Sequence, residues 1–474
     1  MTLNIPFKNT YVSLPERLFS KILPAPAQSA NLVAFNSPLA DELGIKGYDD
    51  PIELGKIFSG SSLPDGAEPI AQAYAGHQFG NFVPSLGDGR AVLLGELTDQ
   101  NGRQRDIQLK GSGRTPFSRG GDGRAWLGPV LREYVVSEAM HALGIPTTRA
   151  LAAATTGETI LRQEGGVPGA VLTRVAASHL RIGTFQYFAA RGDAEAVRAL
   201  LEYAVTRHYP NTSTPLEFLH RVIERQVALV SRWMGVGFIH GVMNTDNTSI
   251  SGETIDYGPC AFMDSYHPAT VYSSIDRMGR YAYMRQPEIL VWNVAQLASS
   301  LLILEPDQDA AVETYTEVVH SMPKLLRAEW QRVFKAKIGI TTNRPEDQAL
   351  LENLLQIMAE QEADFTTTFR ALAEGSARDQ FIDPTQYDEW EVSWKTRIAD
   401  EPDPVKLMHS ANPCLIPRNH RIEHMITSAV AGDMSAFEEM LRAYSTPFES
   451  VSKNAHLRKP PTPDEVVRET FCGT

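Results

Sequence analysis

The chain has 474 residues, of which 43% are hydrophobic and 21% are charged, and its formal net charge is −13 at pH 7. This length exceeds what one hydrophobic core requires and predicts two or three compact units. The negative charge disfavours long-range attraction to nucleic acid or to an anionic membrane surface, so an anionic ligand must be bound by a local cluster of basic side chains.

No apolar run approaches the roughly 20 residues that cross a bilayer, which argues against a membrane-spanning segment. Residues 1–9 contain Lys8 but neither the apolar core of a signal peptide nor the arginine-rich bias of a transit peptide. We therefore expect a cytoplasmic protein. The cysteines are too few and too widely spaced for a disulfide framework or a closed zinc site. We expect Cys260 and Cys414 to be buried thiols and Cys472, near the end of the chain, to be exposed.

Residues 1–185 are rich in glycine and contain short β-like runs, notably 91–97 and 106–109. One helix is predicted within this region, because apolar positions recur every fourth residue over 129–143 and Gly144 follows. Residues 1–185 are therefore predicted to form a β-rich N-terminal lobe.

The character of the chain changes to long amphipathic segments from about residue 190 onward. The clearest begins with a capping box at Thr214 and Glu217 and continues to Gly235. Similar helical periodicity fills residues 287–304, 309–334 and 348–372. We predict a helical C-terminal lobe over 186–420 and a helical extension and tail over 421–474. This α+β plan is that of the two-lobed protein kinase fold, an analogy that fixes no chemistry.

A glycine loop precedes the predicted strand at 91–97, and it predicts a contact with phosphate. Gly87 and Gly89 allow close approach of the backbone to a ligand, and Arg90 is a bidentate phosphate donor, although such a glycine pair is more often a simple turn. Lys110 ends the next strand, as the lysine that grips ATP phosphates does in kinases. Glu133 in the predicted helix is its candidate ion-pair partner, the alternative being a solvated glutamate.

Residues 111–124 are the stretch of the chain that is densest in glycine and arginine, and they include Asp122 and Gly123. Their amides and guanidinium groups could form an anion nest, whereas a flexible surface loop would leave the arginines unexplained. Arg174 and Arg181 add two cations that an ordinary kinase site does not need there. A surface role for either arginine is the alternative.

The most specific signal is the segment that follows the long helix. Asn247 lies seven residues after His240, the offset of the kinase catalytic loop, and Asp256-Tyr257-Gly258 stands where D-F-G would follow. We predict a hairpin over 249–254 that brings Asn247 and Asp256 together as oxygen ligands for Mg²⁺ bound to phosphates.

The position of the kinase base is occupied by Val242, which cannot accept a proton. Phosphorylation of a hydroxyl by the usual route is therefore impaired. Asp246 is the remaining carboxylate that could act as the base.

These motifs together resemble the selenoprotein O family, known in bacteria as YdiU, and the resemblance covers nearly the whole chain. The matching stretches are 74–80, 86–90, 109–119, 131–134, 240–247, 256–259, 279–281, 286–287, 292–293, 412–413 and 417–419.

The resemblance implies a pseudokinase fold that binds ATP in a flipped orientation, so that AMP is transferred and pyrophosphate leaves. It implies that the acceptors are Ser, Thr and Tyr hydroxyls of other proteins, linked to redox homeostasis, and UMP transfer with Mn²⁺ has been attributed to bacterial relatives. The implied roles are nucleotide contacts by Gly87, Gly89, Arg90, Lys110 with Glu133, Asp122, Gly123 and Asp256, phosphate contacts by Arg174 and Arg181, Mg²⁺ binding by Asn247 and Asp256, and proton acceptance by Asp246.

Family members often carry a selenocysteine or cysteine near the C-terminus, and some pair it with a cysteine that follows the metal-binding aspartate. Here Cys472 is present, but residues 266–280 contain no cysteine, so redox gating by that pair is not expected, although Cys260 could be an alternative partner.

Two other functions stay open at this point. The first is a kinase that still transfers the γ-phosphate, against which Val242 argues. The second is a catalytically silent nucleotide-binding scaffold, which would not need the candidate metal ligands Asn247 and Asp256.

Overall fold

The computed structural model describes residues 2–162, 165–449 and 451–471, so the predictions for Cys472 lie outside the described residues. The strands are β1 (Phe19–Lys21), β2 (Asn31–Phe35), β3 (Ile70–Gln72), β4 (Gly76–Gln78), β5 (Asn81–Val83), β6 (Ala91–Thr98), β7 (Gln104–Lys110), β8 (Ala125–Trp126), β9 (Arg149–Arg162), β10 (Gly165–Ala176), β11 (Phe238–Ile239) and β12 (Ala261–Phe262). The α-helices are α1 (Ser37–Glu42), α2 (Pro51–Phe58), α3 (Leu127–Ala142), α4 (Ile182–Ala189), α5 (Ala194–His208), α6 (Pro215–Gly235), α7 (Gln286–Leu301), α8 (Gln308–Lys337), α9 (Asp347–Glu360), α10 (Phe365–Glu374), α11 (Thr385–Ile398), α12 (Pro404–Ala411), α13 (Asn419–Val430), α14 (Ser435–Tyr444) and α15 (Ala455–Arg458).

The protein is a mixed α/β structure built on one large antiparallel sheet. Its strand order is β1-β3-β6-β7-β10-β9-β2, and β8 pairs with β10. The predicted strands at 91–97 and 106–109 are confirmed as β6 and β7. Their register sets Ala91 opposite Lys110, and β10 sets Arg174 opposite Gln108. Lys110 and Arg174 therefore lie on neighbouring strands.

The long β9–β10 ribbon is not among the predicted strands. Its buried centre consists of small residues, since Ala152, Ala153 and Ala154 are all fully buried. Alanine is depleted in strands, so this segment carries no β-like pattern in the sequence.

The predicted helix in the first 185 residues is confirmed as α3, which ends just before Gly144 at φ +74°. One side of α3 packs on β9 and β10, and α13 and α14 pack on it as well. Because both sides are covered, Glu133 is only 4% exposed. The alternative of a solvated glutamate is therefore wrong.

The predicted helices of the second half are largely confirmed. Helix α6 begins with the predicted capping box, in which the Thr214 hydroxyl accepts from the Glu217 amide at 3.1 Å. The periodic stretch 348–372 is two helices rather than one. The chain breaks after α9 at Glu362, whose φ is +51°, and Asp364 then caps the start of α10.

One segment, Tyr283–Leu304, is long and apolar enough by length and composition to cross a membrane. Half of its most apolar window is buried inside the protein, and its main helix α7 packs on α4, α6 and α8. Core helices have the same composition. The predicted cytoplasmic location stays a prediction, as do the domain limits at 185 and 420.

A buried arginine connects the loop before α13 to two other parts of the helical half. Arg418 is 1% exposed and forms ion pairs with Asp264, which follows β12, and with Asp364, at 2.8 Å. Its Nε donates to the Arg458 carbonyl at 3.1 Å, which attaches α15 as well. Arg418 is thus the cation on which three chain segments converge.

We predict that Arg418→Leu destabilises the protein by about 3–5 kcal/mol, because it leaves two carboxylates buried without a cation. The matched control is Arg378→Leu, which removes an exposed ion pair with Asp388 and should cost about 0–1 kcal/mol. Urea unfolding of both variants measures the difference. Equal midpoints would show that the buried cluster contributes no more than an exposed pair.

Candidate active site

A cleft of about 590 Å³ lies where the ends of β6, β7 and β10 meet the segment 242–258. Most of the residues predicted for the site line this one cleft. They are Gly87, Gly89, Arg90, Lys110, Asp122, Gly123, Arg174, Arg181, Asp246, Asn247 and Asp256. Glu133 does not line the cleft, because it lies behind Lys110 in α3 and contacts it there.

The centre of the cleft is a compact group of opposite charges. Lys110 Nζ lies 2.6 Å from Glu133 and 2.6 Å from Asp256. Arg174 lies 2.9 Å from Asp256 and 3.4 Å from Glu133, and Arg181 lies 3.6 Å from Asp256. Three cations therefore surround two carboxylates in this group. The predicted pairing of Lys110 with Glu133 is present in the structure.

The ionised state of Asp256 is set by these cations. Burial alone would raise the pKa of Asp256, but the charges of Arg174, Lys110 and Arg181 lower it well below its usual value. The backbone of Asp256 is left-handed, with φ +63°, which is uncommon for a residue other than glycine. A fixed, fully ionised carboxylate results.

Arg174 and Arg181, for which a surface position was the alternative, both line the cleft. Arg174 and Arg181 are each 2% exposed. Arg181 donates to the Asp246 carbonyl at 3.1 Å, and its guanidinium stacks 4.2 Å from the centre of the Tyr74 ring. A third buried acid, Asp88, lies 3.9 Å from Arg181, and burial raises its pKa to about 6.

The hairpin predicted over 249–254 is wrong, although the turn at Gly252 is present with φ +79°. The two arms do not pair with each other. Ser249 pairs with Arg181 and Thr254 pairs with Thr147, each as an isolated bridge. Contacts with residues 1–185 therefore position the segment that carries Asn247 and Asp256, and the bridge to Ser249 holds Arg181 beside Asp246.

Asp246 is 7% exposed and carries an unsatisfied oxygen. Its Oδ2 accepts from Gln78 Nε2 at 3.2 Å, whereas Oδ1 is buried and has no hydrogen-bond partner in the described part of the chain. Burial raises the pKa of Asp246 to about 6. A Cβ at Gly76 would lie 2.4 Å from Oδ1, so only glycine fits beside it. Gln78 had no predicted role, although it lies in a stretch that resembles the family.

The side chains at the predicted metal position supply oxygen atoms. Across residues 2–162, 165–449 and 451–471, there is no group of three or more His, Cys, Asp or Glu that could form a complete protein cage. Asn247 donates its Nδ2 to the Val242 carbonyl at 3.0 Å, which fixes its amide in the wall of the cleft that Asp256 also lines. One carboxylate and one amide oxygen fit Mg²⁺, which usually takes one or two protein ligands and completes its shell with phosphates and water.

The glycine loop is shaped by the neighbouring segment 111–124, which we call the flap. A Cβ at Gly87 would lie 2.2 Å from the Phe117 ring, and one at Gly89 would lie 2.9 Å from the Phe117 carbonyl. The Thr115 hydroxyl donates to the Asp88 carbonyl at 2.7 Å. The two glycines were expected because they allow a ligand to approach closely. They are also required by the packing of the flap against the loop.

The flap also contains Asp122, whose carboxylate lies 2.8 Å from Arg162 in β9. The side chain of Asp122 is 47% exposed and lines the outer part of the cleft. This ion pair attaches the exposed end of the flap to the sheet.

We predict that Gly87→Ala loosens the flap, because the added methyl group displaces Phe117. Gly102→Ala is the matched control, since Gly102 has a similar φ of +76° but no atom within 4 Å of an added Cβ. Both variants bear the same backbone strain, so faster tryptic cleavage after Arg119 in Gly87→Ala alone reports the steric effect. The same cleavage rate in both variants would contradict this role of Phe117.

Comparisons with known proteins agree with this geometry. The family model described as "Protein adenylyltransferase SelO" matches residues 1–445. Proteins named "Protein nucleotidyltransferase YdiU" are similar over the full length of both chains: the one from Ruegeria sp. (strain TM1040) is 62% identical, that from Ruegeria pomeroyi 58% and that from Roseobacter denitrificans 57%.

A cleft of basic side chains and a full-length match to such relatives define the chain as a nucleotidyltransferase. Within that class, it belongs to the protein adenylyltransferase SelO family, whose bacterial members carry the name YdiU. The resemblance read from the motifs is thereby confirmed.

Proposed function

We propose that the protein transfers AMP from ATP to Ser, Thr or Tyr hydroxyls of other proteins and releases pyrophosphate. The observation that carries the proposal is the group of three cations around Asp256, placed beside a buried Asp246 and a valine at position 242. The ion pair between Lys110 of β7 and Glu133 of α3 supports a kinase-like, two-lobed arrangement of the chain.

The phosphates of ATP are bound in this proposal by Lys110, Arg174, Arg181 and Arg90. Guanidinium groups donate two parallel hydrogen bonds to phosphate oxygens, and buried cations are stronger partners than exposed ones. Seven Lys and Arg side chains line the cleft against four Asp side chains, and this excess of cations favours a polyanion there. Gly87, Gly89, Asp122, Gly123 and Asp256 also line the cleft.

A divalent cation, Mg²⁺ or Mn²⁺, is bound in this proposal by Asn247 and Asp256. When bound, such an ion neutralises phosphate charge that develops as the leaving group departs. Lys110 and Arg174, which pair with Asp256 in the structure, would then contact the nucleotide phosphates as well.

Asp246 is the proposed proton acceptor. Its carboxylate takes the proton of the acceptor hydroxyl, the oxygen of that hydroxyl bonds to the α-phosphorus, and the bond from the α-phosphorus to the bridging oxygen breaks. Pyrophosphate carries the electron pair away. The raised pKa of Asp246, about 6, supports this role, because a base whose pKa lies near the working pH transfers protons efficiently.

Two other functions, a kinase and a catalytically silent scaffold, have less support than AMP transfer. A kinase that transfers the γ-phosphate would need a carboxylate where Val242 stands in the cleft wall. A silent scaffold would have no use for the Asp246 and Asp256 carboxylates that the fold buries in the cleft. Transfer of UMP from UTP would use the same contacts to the phosphates, and it stays within the proposal as a second reaction.

We predict that the wild-type protein incorporates label into acceptor proteins from α-labelled ATP and not from γ-labelled ATP. Lys110→Met and Asp256→Ala should each nearly abolish incorporation, because they remove a phosphate contact and a metal ligand. Arg174→Ala or Arg181→Ala should each weaken ATP binding by roughly 1.5–3 kcal/mol, the worth of one charged hydrogen bond.

The control for orientation is Val242→Asp, which restores a carboxylate at the kinase position. No γ-label should be transferred by this variant if ATP lies flipped. Transfer of γ-label by it would contradict the flipped orientation, and undiminished α-label transfer by Lys110→Met would contradict the assignment of the phosphate site.

We predict that turnover rises with pH through about 6, because Asp246 must lose its proton to act as the base and burial raises its pKa to about 6. The hydrogen bond from Gln78 lowers this pKa, so Gln78→Leu should move the rise to higher pH. Asp246→Asn should bind ATP and lose about 10²- to 10⁴-fold in rate. The pH profile of kcat for the wild type and the two variants measures the pH of the rise, its shift in Gln78→Leu and the loss of rate in Asp246→Asn. A profile that is flat between pH 5 and 8, or the same in Gln78→Leu, would contradict the role of Asp246.

A further inference from the structure

Two chain segments next to the cleft carry exposed apolar side chains. Phe82 in β5 is 39% exposed, and Ile275 and Met278, in the loop between β12 and α7, are 53% and 88% exposed. Ile275 also lines the cleft that contains Asp246 and Asp256. We call Phe82, Ile275 and Met278 the rim patch. Exposed apolar side chains grouped near a site are typical of a protein-binding surface.

The two segments of the rim patch form one surface, because a shared set of aromatic and cationic groups lies beneath them. The His77 ring lies 4.9 Å from Phe82 and 5.0 Å from Trp292. The Arg280 guanidinium lies 4.9 Å from the Trp292 ring and packs beside Gly80, at the turn between β4 and β5.

The same β4–β5 hairpin connects the rim patch to the proposed chemistry. Gln78 donates to Asp246, and the next amide, that of Phe79, donates to Asn244 Oδ1 at 3.2 Å. Phe79 and Gln78 both line the cleft. A partner segment that lies on Phe82 therefore sits on the same hairpin that contacts the proposed base Asp246.

The loop that presents Ile275 and Met278 is held by hydrogen bonds at both ends. Asp276 accepts from the amides of Arg280 and Tyr281 at 2.9 and 2.8 Å. The Ser274 amide donates to the Thr470 carbonyl at 3.0 Å, and Thr470 is 1% exposed. The apolar side chains are thus presented by a fixed loop, so a partner that binds them loses little conformational entropy of the loop.

The rim patch also has a positive edge in a chain whose net charge is −13. Arg277 is exposed, and neither Arg277 nor Arg280 has a carboxylate within 4.0 Å among residues 2–162, 165–449 and 451–471. Arg280 Nε is buried and has no hydrogen-bond partner in the same part of the chain. These two cations are complementary to a carboxylate on a partner.

Beyond Trp292 the surface continues into a second, mainly apolar groove of about 1,090 Å³. Trp292 lines this groove together with Met284, Val291 and Trp330. The apolar surface that begins at the rim patch therefore extends along α7, far enough to accommodate several residues of a partner.

We propose that the rim patch binds the acceptor protein itself, through a segment that carries apolar residues and a carboxylate next to the hydroxyl that is modified. The inference rests on the proposed function, because an acceptor hydroxyl reaches Asp246 only through the mouth of the cleft. Apolar residues of that segment contact Phe82, Ile275 and Met278, and its carboxylate pairs with Arg277 and Arg280.

The test uses the full chain and two synthetic peptides, each with one serine, one threonine and one tyrosine. In the first peptide, leucine and glutamate flank these residues, and in the second, glutamine replaces both. We expect the wild-type protein to label the first peptide with a kcat/KM about tenfold higher, the gain from burying one apolar side chain. Phe82→Asp and Met278→Asp should each remove most of this preference through KM.

The matched control is Ile382→Asp, which changes an isoleucine that is 91% exposed and lines neither the cleft nor the groove. This variant should keep the wild-type preference, and all three should bind ATP with wild-type affinity in titration calorimetry. Equal use of the two peptides by the wild-type protein, or an unchanged preference in both rim variants, would overturn the proposal. Labelling of neither peptide from α-labelled ATP would instead contradict the proposed function, and this inference with it.

Discussion

The structure depends on one electrostatic constraint: the Asp256 carboxylate is held in a left-handed backbone position among Lys110, Arg174 and Arg181. Each cation comes from a different part of the chain: the end of β7, the region near the end of β10 and the residue before α4. A buried carboxylate is stable only where such partners are supplied, and the buried cations likewise require it. The sheet, α3 and the segment 242–258 are therefore fixed relative to one another by the same group of charges.

A chemical division of labour follows from this arrangement. Asp256 is kept ionised by the cations, whereas Asp246, with only Gln78 as a side-chain donor and one oxygen without a partner in the described chain, has its pKa raised to about 6. Two carboxylates with pKa values displaced in opposite directions suit two roles, one as a permanent anion and one as an acceptor of protons near neutral pH. Val242, at the position of the kinase base, has no carboxylate and can serve neither as a permanent anion nor as an acceptor of protons.

The sequence was sufficient for the elements with strong local signals. The capping box at Thr214, the strand that ends at Lys110 and the helix that carries Glu133 all form as predicted. The hairpin over 249–254 was wrong, because Ser249 and Thr254 pair with distant segments that no local pattern reveals. The β9–β10 ribbon was missed, because its centre is alanine. The burial of Glu133 could not be predicted, since it depends on α13 and α14 covering α3. Gln78, Tyr74 and Phe117 were missed as parts of the site for the same reason, since their contacts join residues far apart in the chain.

The central claim is that the cations around Asp256 hold ATP so that its α-phosphate, and not its γ-phosphate, meets the acceptor. The most direct measurement is the identity of the product that leaves, followed by ³¹P NMR while unlabelled ATP reacts with a protein acceptor and Mg²⁺. The account predicts that pyrophosphate accumulates, with one AMP attached to the acceptor for each pyrophosphate released. Accumulation of ADP in step with phosphate on the acceptor would contradict it.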